Sequence, residues 1–433
     1  MSNYKIVSYN NGLKYLHVPF KTKIVSIGFV VKVGSRDEEH KNNGISHFLE
    51  HMLFKGTKKR NTSKLLNELD DLGTYYNAMT TFDYTGYELH GDKNDFKKLL
   101  DIFIDLYLGA NLYKKDIEKE RKVIMEEYNM TVNDADDFML DILMVEVFGG
   151  SSLEMPIIGT AKNIKKFSRK DLVEYRNKFY CPANTVFITI GDINYKEVEN
   201  ILRKKIQFTC NMENMRIHII PQQNIPRLNI TNSESTGQVN ILMAFHHNGY
   251  LHDIEYNIIC KIISSYLTSG SSSKLFDTLR TKNALAYSCS SSNTELEDTS
   301  IFFIKTAVDE KRCDIAIEKI LFELLKLVKY KISQKDLNRC KKKFSNKSTI
   351  NKSNMELINH YIDESIKSLD NILSYEDEIN QVSKITSQKV LKACRHIFRH
   401  NNLNLIVMGD MSKKAKDNME THLDKWYNLT KDI

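Results

Sequence analysis

The spacing of hydrophobic residues in the first half of the chain predicts a mixture of strands and helices. Apolar residues run almost continuously through residues 24–33, and residues 77–81 and 84–89 look like paired strands around Phe82 and Asp83, so these three segments are expected to be strands. A helical period of apolar residues predicts helices over much of the remainder. The expected helices cover residues 44–54, 92–107, 114–130, 135–148 and 169–180, and a strand ending at Gly191 and a helix from Tyr195 follow.

The second half of the chain shows the same mixture. Strands are expected at residues 238–245, 287–292 and 300–307. Helices are expected at residues 254–266 and 272–282, with several more after them. Strands that are grouped with longer helices, without strict alternation, indicate the α+β class.

Two matching segments indicate a tandem duplication. Residues 184–193 and 402–411 both begin with Asn and lead through a β-rich run to a Gly-Asp pair, and the two pairs lie 218 residues apart in a chain of 433. We therefore expect two similar domains, an N-terminal one at residues 1–206 and a C-terminal one at 228–433. The linker is placed at residues 207–227, where Pro221 and Pro226 bracket a polar stretch.

The composition is typical of a soluble globular protein, with 41% apolar and 27% charged residues. No apolar run reaches the ~18 residues that span a bilayer, and the start of the chain shows no signal-peptide pattern. The seven cysteines are scattered and odd in number, which argues against a disulfide framework and against a cysteine-rich zinc site. We therefore expect a soluble intracellular protein with no membrane partner, in the cytoplasm or, as the alternative, in a mitochondrion.

The net charge of +7 is spread thinly over the chain, and no nucleic-acid partner is expected. Residues 36–145 are an exception, because they carry 22 acidic and 15 basic residues. An acidic field of this kind would attract a basic peptide. Solvated helix faces that happen to be acidic explain the same count equally well.

The strongest chemical signal is the pattern H-x-x-E-H within residues 44–54, formed by His47, Glu50 and His51. On a helix, His47 and His51 lie one turn apart on the same side and can bind one zinc ion. Glu50 can reach a water on that metal without being a ligand, as in the inverted form of the H-E-x-x-H motif. A histidine pair on an apolar helix can also be a packing feature only.

A catalytic zinc needs a third protein ligand and one open position. The helix expected at residues 114–130 offers Glu120, Glu126 and Glu127. Glu120 and Glu127 are two helical turns apart and share a face with Ile124, whereas Glu126 falls on a lysine-rich face. We therefore predict Glu127 as the third ligand and Glu120 as a group that holds a ligating histidine by its other ring nitrogen.

The chain resembles the pitrilysin-type (inverzincin) zinc metallopeptidases over nearly its whole length, and their processing-peptidase branch in particular. In that family the third ligand lies about 76 residues past the second histidine, where Glu127 stands here. The resemblance implies two tandem domains, each a mostly antiparallel sheet packed with helices, that form a clam shell, and one Zn²⁺ per chain. The matching motifs are residues 11–13 (Asn-Gly-Leu), 34–36 (Gly-Ser-Arg), 47–57, 156–160 (Pro-Ile-Ile-Gly-Thr) and 191–192 (Gly-Asp).

The resemblance also implies a substrate-binding strand. The family pattern of Asn-Ala followed by Thr stands at Asn77, Ala78 and Thr80. In relatives this edge strand pairs with the backbone of an extended substrate, which allows many sequences to bind. From the residues alone, the segment is a short strand beside a turn.

Two further residues are implied in the second half of the chain. Arg280 and Tyr287 stand at the spacing of an Arg and a Tyr that contact the substrate near the scissile bond, where donors would stabilise a developing oxyanion. Without the resemblance they would be a surface arginine and a strand tyrosine. The family usually has Gly where Ala284 stands and Arg where Lys274 stands, so the local loop is expected to differ.

The predicted function is that of a zinc-dependent endopeptidase that hydrolyses peptide bonds in short or unfolded polypeptides, with precursor processing as one role. Glu50 would take a proton from the attacking water and pass it to the leaving amine. The alternative is a catalytically silent relative that serves as a scaffold or regulatory subunit. Because the chain is half as long as the fused members of the family, we expect it to pair as a homodimer or with a related subunit.

Overall fold

The computed structural model describes residues 4–210, 223–232, 238–247, 254–350, 354–367 and 372–433. Within these residues the strands form two sheets. The strands are β1 (Lys5–Ser8), β2 (Lys14–Val18), β3 (Ile24–Val31), β4 (Tyr75–Thr80), β5 (Thr85–Asp92), β6 (Thr185–Ile190), β7 (Arg227–Thr231), β8 (Gln238–His247), β9 (Ala286–Glu295), β10 (Ser300–Asp309) and β11 (Leu403–Met408).

Helices cover both sheets and confirm the α+β class. In the first half they are α1 (Ile45–Leu53), α2 (Thr62–Asp71), α3 (Phe96–Gly109), α4 (Lys114–Asn133), α5 (Ala135–Phe148), α6 (Ala161–Ile164), α7 (Arg169–Phe179) and α8 (Tyr195–Lys205). In the second half they are α9 (Ile254–Thr268), α10 (Lys274–Phe276), α11 (Cys313–Lys329), α12 (Gln334–Ile350), α13 (Asn354–Lys367), α14 (Tyr375–Ser383), α15 (Ser387–Ile397) and α16 (Lys413–Thr430).

The two sheets share one strand order. The first sheet runs β1-β2-β6-β3-β5-β4, and the second runs β7-β11-β8-β10-β9. Among the described strands, each sheet has one parallel pair, β2 with β6 and β7 with β11, and the other pairs are antiparallel. Removing β1 makes the two orders match strand for strand, which supports the tandem duplication.

Equivalent side chains anchor equivalent helices in the two halves. The Nδ2 atom of Asn184 donates to the carbonyl of Phe179 at the end of α7, and Nδ2 of Asn402 donates to the carbonyl of Ile397 at the end of α15. Both asparagines are buried, and each stands just before an interior strand of its sheet, Asn184 before β6 and Asn402 before β11. Asparagine here satisfies helix-end carbonyls that would otherwise lack a donor.

The chain divides into two compact units that each include a segment from the other half of the sequence. One unit comprises Met1–Thr131, Met155–Ile217 and Asn351–Ser374, and the other comprises Val132–Glu154, His218–Ile350 and Tyr375–Ile433. In the first unit α13 packs on β3, β5 and β6, and in the second unit α5 packs on β8 and β11. The bounds 1–206 and 228–433 therefore stay a prediction, and residues 211–222 of the expected linker lie outside the described part of the chain.

The hydrophobic pattern did not predict β1, β2, α2 and β7. These strands have only four or five residues each, and α2 carries just two buried side chains. The segment expected as one helix at residues 272–282 is instead the short α10 followed by a π-helical turn at Asp277–Lys282. The other elements named from the sequence are confirmed to within four residues at their ends.

The cysteines depart from expectation at one pair. Cys181 and Cys210 form a disulfide with their Cα atoms 6.0 Å apart, a single bridge that the scattered, odd-numbered cysteines did not predict. The other cysteines, Cys260, Cys289, Cys313, Cys340 and Cys394, are free. Among the described helices, none is both long and apolar enough to cross a membrane.

Candidate metal centre

Helix α1 presents its two histidines on the face that is not packed in the core. It begins after Gly44, whose φ of +96° is a conformation that glycine adopts without strain. Phe48, Leu49 and Met52 are buried in the core of the first unit. The side chains of His47 and His51 are 11% and 19% exposed, so both rings are partly accessible from the protein surface.

Helix α4 supplies the carboxylates. Ile117, Glu120 and Ile124 form its buried stripe, and Glu127 continues that stripe one turn further on. Glu126 is exposed. The Arg121 guanidinium lies over the ring of Phe48, 5.5 Å from its centroid, and ties α4 to α1.

The structure brings His47, His51 and Glu127 together. Nε2 of His47 lies 3.4 Å from Oε1 of Glu127, and Nε2 of His51 lies 3.3 Å from Oε2 of the same carboxylate. One potential ligand atom from each residue lies within 4.8 Å of the others. Ligand atoms around a tetrahedral zinc with bonds of about 2.0–2.1 Å are separated by about 3.3 Å, so these residues fit the ion in number, type and spacing.

The ionisation of the cluster favours a cation. Burial alone would lower the pKa of His51, but the carboxylates of Glu120 and Glu127 outweigh it and raise that pKa to about 9. The imidazoles of His47 and His51 in turn lower the pKa of Glu127 well below its ordinary value. A metal ion that takes the place of the proton on His51 would be attracted by the negative charge of the Glu127 carboxylate. The cluster is therefore suited to bind a cation.

A second carboxylate fixes the orientation of one histidine. Nδ1 of His51 lies 3.0 Å from Oε1 of Glu120, and Nζ of Lys55 lies 2.7 Å from the other oxygen of that carboxylate. Burial would raise the pKa of Glu120, but His51 and Lys55 reverse this and lower it. Sequence reasoning missed Lys55, although its position four residues after His51 was a signal that it could reach the same carboxylate.

Nδ1 of His47 is buried and has no hydrogen-bond partner among the described residues.

Glu50 and the edge strand β4 meet beside this cluster. The hydroxyl of Thr80 donates to Oε2 of Glu50 over 2.7 Å. Asn77, three residues earlier on the strand, points to the opposite face of the sheet and donates from Nδ2 to Oε1 of Glu88 over 3.3 Å. Ala78 packs against the core on the same side as Thr80. The contact between Thr80 and Glu50 was not foreseen from the sequence, because it depends on how α1 packs against β4.

Arg280 and Tyr287 lie together in the second unit. The guanidinium of Arg280 stands over the ring of Tyr287, 4.6 Å from its centroid, and donates to the Tyr287 carbonyl. Tyr287 is 80% exposed. Ala284, at the position where relatives usually have glycine, has a φ of +45°.

Comparison with known proteins gives two family matches. The model of the insulinase family (peptidase family M16) matches residues 18–161, and that of the peptidase M16 inactive domain matches residues 166–344. An uncharacterized zinc protease of Rickettsia felis is 23% identical over 407 residues, which are 94% of this chain and 97% of that protein.

Two further likenesses are informative. Subunit 1 of the human mitochondrial cytochrome b-c1 complex is 33% identical over 199 residues, which are 46% of this chain and 41% of that protein. The crystal structure of a protease from Helicobacter pylori, 22% identical, matches with a TM-score of 0.87 over 95% of this chain and all of that one. The structural match confirms the fold.

Proposed function

The chain belongs to peptidase family M16, and we propose that it is a zinc-dependent endopeptidase that cleaves short or unfolded polypeptides. The observation that carries this proposal is the meeting of His47, His51 and Glu127 beside Glu50. Similarity to proteins named as zinc proteases supports it.

His47, His51 and Glu127 would hold one Zn²⁺, with Glu120 and Lys55 supporting His51. Two imidazoles and one carboxylate leave the fourth position of a tetrahedral ion open, as catalytic zinc sites require. When bound, the ion would supply a Lewis acid for the scissile carbonyl and lower the pKa of a water toward ~7.

Glu50 is assigned as the group that takes and returns the proton. It stands between the two histidines on α1 but is not part of the group of three that can hold the metal. Because Thr80 donates to Oε2, Oε1 is the oxygen that we assign to receive the proton of the attacking water. The same oxygen would then deliver that proton to the leaving amine.

Strand β4 is assigned as the binding edge for substrate. Within the described residues it is the last strand of its sheet and pairs with β5 alone. An extended peptide added along this edge would be held by main-chain hydrogen bonds, which tolerate many sequences. Thr80 on the same strand contacts Glu50, so such a peptide would run beside the proton acceptor.

A peptide-cleavage assay tests this function. The purified chain, supplied with zinc, is incubated with an internally quenched, unstructured peptide, and the products are identified by mass spectrometry. The proposal predicts cleavage by the wild type that a chelator abolishes, and none by Glu50→Gln. Absence of cleavage by a zinc-loaded wild type would contradict it.

A catalytically silent scaffold is the second candidate. The likeness to a subunit of the cytochrome b-c1 complex favours it, since that protein is named as part of an assembly. The presence here of His47, His51, Glu127 and Glu50 argues against it, because a scaffold has no need for these residues at one point. Pairing with a second subunit, identical or related, stays part of the proposal for either function.

A further inference from the structure

Residues 34–38, which we call the bracing segment, lie between β3 and α1 and contact the turn that joins β4 to β5. The backbone nitrogens of Ser35 and Arg36 donate to the carbonyls of Thr81 and Phe82, each over 3.1 Å. A Cβ atom on Gly34 would lie 2.4 Å from each of those carbonyl oxygens. The segment therefore packs against the turn closely enough to require glycine at this position.

A buried ion pair completes this contact. Nη1 of Arg36 lies 2.7 Å from Oδ1 of Asp83, a residue of the turn, and the two side chains are 3% and 9% exposed. Removing one partner of such a pair leaves a buried charge without compensation, which is strongly unfavourable. The turn is thereby held to the bracing segment by a side chain as well as by backbone.

The other end of the bracing segment holds α1. Oε1 of Glu38 accepts from the backbone nitrogen of Ser46, and Oε2 accepts from that of Gly44, both over 2.7 Å. These nitrogens are at the start of α1, where the helix itself offers them no acceptor. One short segment thus fixes the helix that carries Glu50 and the turn that follows Thr80.

We propose that Arg36 is a positioning residue for Glu50, acting through Asp83 and Thr80. The ion pair fixes the turn, the turn fixes the end of β4, and the hydroxyl of Thr80 then meets Oε2 of Glu50. This inference rests on the proposed function, in which Glu50 is the proton acceptor. It gives a purpose to the Gly-Ser-Arg motif at residues 34–36, which contributes no metal ligand.

A double-mutant cycle tests the coupling. Asp83→Asn is expected to lower kcat about tenfold, with KM changed less than about twofold and zinc content unchanged. Thr80→Val is expected to have a similar effect, and Thr80→Ser, which keeps the hydroxyl, to restore most of the activity. If Asp83 acts through Thr80, Asp83→Asn lowers kcat by less than about twofold in the Thr80→Val background. Effects that multiply would overturn the proposal.

Asp105→Asn is the matched control. Asp105 also forms a 2.7 Å ion pair with an arginine, Arg60, with side chains 5% and 12% exposed, but this pair does not touch the β4–β5 turn. Its loss is expected to lower the melting temperature without lowering kcat. If Asp105→Asn lowers kcat as much as Asp83→Asn does, the effect is one of general stability and the proposal fails. Should Asp83→Asn not fold, Arg36→Lys, which keeps the charge but loses the planar donor fork, replaces it.

Hydrogen exchange gives a readout that does not depend on activity. In protein prepared without zinc, Asp83→Asn is expected to speed amide exchange at residues 80–85 at least about tenfold, while Asp105→Asn leaves these amides unchanged. Unchanged exchange at residues 80–85 in Asp83→Asn would refute the role of the ion pair, whatever the kinetics. A wild type that cleaves no peptide would instead refute the proposed function, while the exchange result still decides whether the ion pair holds the turn.

Discussion

Nδ1 of His51 lies 3.0 Å from Oε1 of Glu120, a buried carboxylate that also contacts Lys55. Because the Glu120 carboxylate accepts a hydrogen bond from Nδ1, the other ring nitrogen of His51, Nε2, is directed toward Glu127. The carboxylate thus selects the nitrogen that His51 offers to a metal, and Lys55 keeps that carboxylate charged.

The first prediction concerns zinc affinity. Glu120→Gln is expected to weaken zinc binding about 10- to 100-fold, because the ring of His51 loses its charged acceptor. Lys55→Met should weaken it less. Glu126→Gln, an exposed position on the same helix, serves as the control and should leave affinity unchanged. Competition with a chromogenic chelator measures all three, and equal affinities for Glu120→Gln and Glu126→Gln would contradict the assignment.

A second prediction concerns the aromatic residue on β9. If Tyr287 contacts the substrate, Tyr287→Phe lowers kcat about tenfold or more through loss of a hydroxyl donor. Zinc content and the free energy of unfolding should not change, because the side chain is 80% exposed. Tyr330→Phe, at a tyrosine that is 67% exposed in the same unit, is the control. Steady-state kinetics in which both variants behave alike would remove Tyr287 from the catalytic assignment.

A third prediction concerns backbone strain at Ala284. Its φ of +45° is unfavourable for a residue with a Cβ atom. Ala284→Gly should raise the free energy of unfolding by about 0.5–1 kcal/mol, the relief of strain being partly offset by greater freedom in the unfolded chain. Ala415, in the first turn of α16, should show the reverse on change to Gly, a loss of up to about 1 kcal/mol. Denaturant unfolding distinguishes the two, and a destabilised Ala284→Gly would show that the strain is absent.

The fourth prediction concerns acid stability. Burial lowers the pKa of His17 and His246 to about 4 and that of His247 to about 3. In the unfolded chain these rings titrate near pH 6.5, so between pH 6.5 and 4 the unfolded state binds protons that the folded state does not. The contribution of these neutral rings to the free energy of unfolding is therefore fully present above pH 6.5 and is lost as the pH falls toward the pKa values of the folded state.

Replacing one histidine separates its contribution to acid stability from those of other groups that titrate in the same pH range. Glu38 is such a group, because burial raises its pKa to about 7. His246 packs edge-on against Phe148 with its Nε2 buried and unpartnered among the described residues, so His246→Phe can keep the packing. The difference in unfolding free energy between pH 7.5 and pH 5 should be smaller in His246→Phe than in the wild type. Equal differences would show that His246 does not titrate as described.

Much of the site could be predicted from sequence because its parts are local. His47, Glu50 and His51 lie on one helix, so their spacing alone sets their mutual geometry, and the same holds for Glu120 and Glu127 on α4. The family resemblance then gave the number of residues that separate the histidines on α1 from the third ligand on α4. The main strands of both sheets could also be predicted, because they are apolar runs.

The rest depends on contacts between distant segments, which periodicity does not encode. Thr80 meets Glu50, and Arg36 meets Asp83, only because β4, α1 and the bracing segment pack together. The hydrophobic pattern also does not reveal which sheet a helix packs on. The sequence therefore did not predict that α5 packs on the second sheet or that α13 packs on the first. Cys181 and Cys210 are 29 residues apart and carry no spacing signal of a disulfide.

Metal analysis of the wild type beside Glu50→Gln tests the central claim most directly, because it separates holding zinc from using it. With His47, His51 and Glu127 as ligands and Glu50 as proton acceptor, both proteins should contain about one zinc per chain, and only the wild type should hydrolyse peptide. A wild type that binds no zinc under these conditions, or a Glu50→Gln variant that still cleaves at the wild-type rate, would contradict the account.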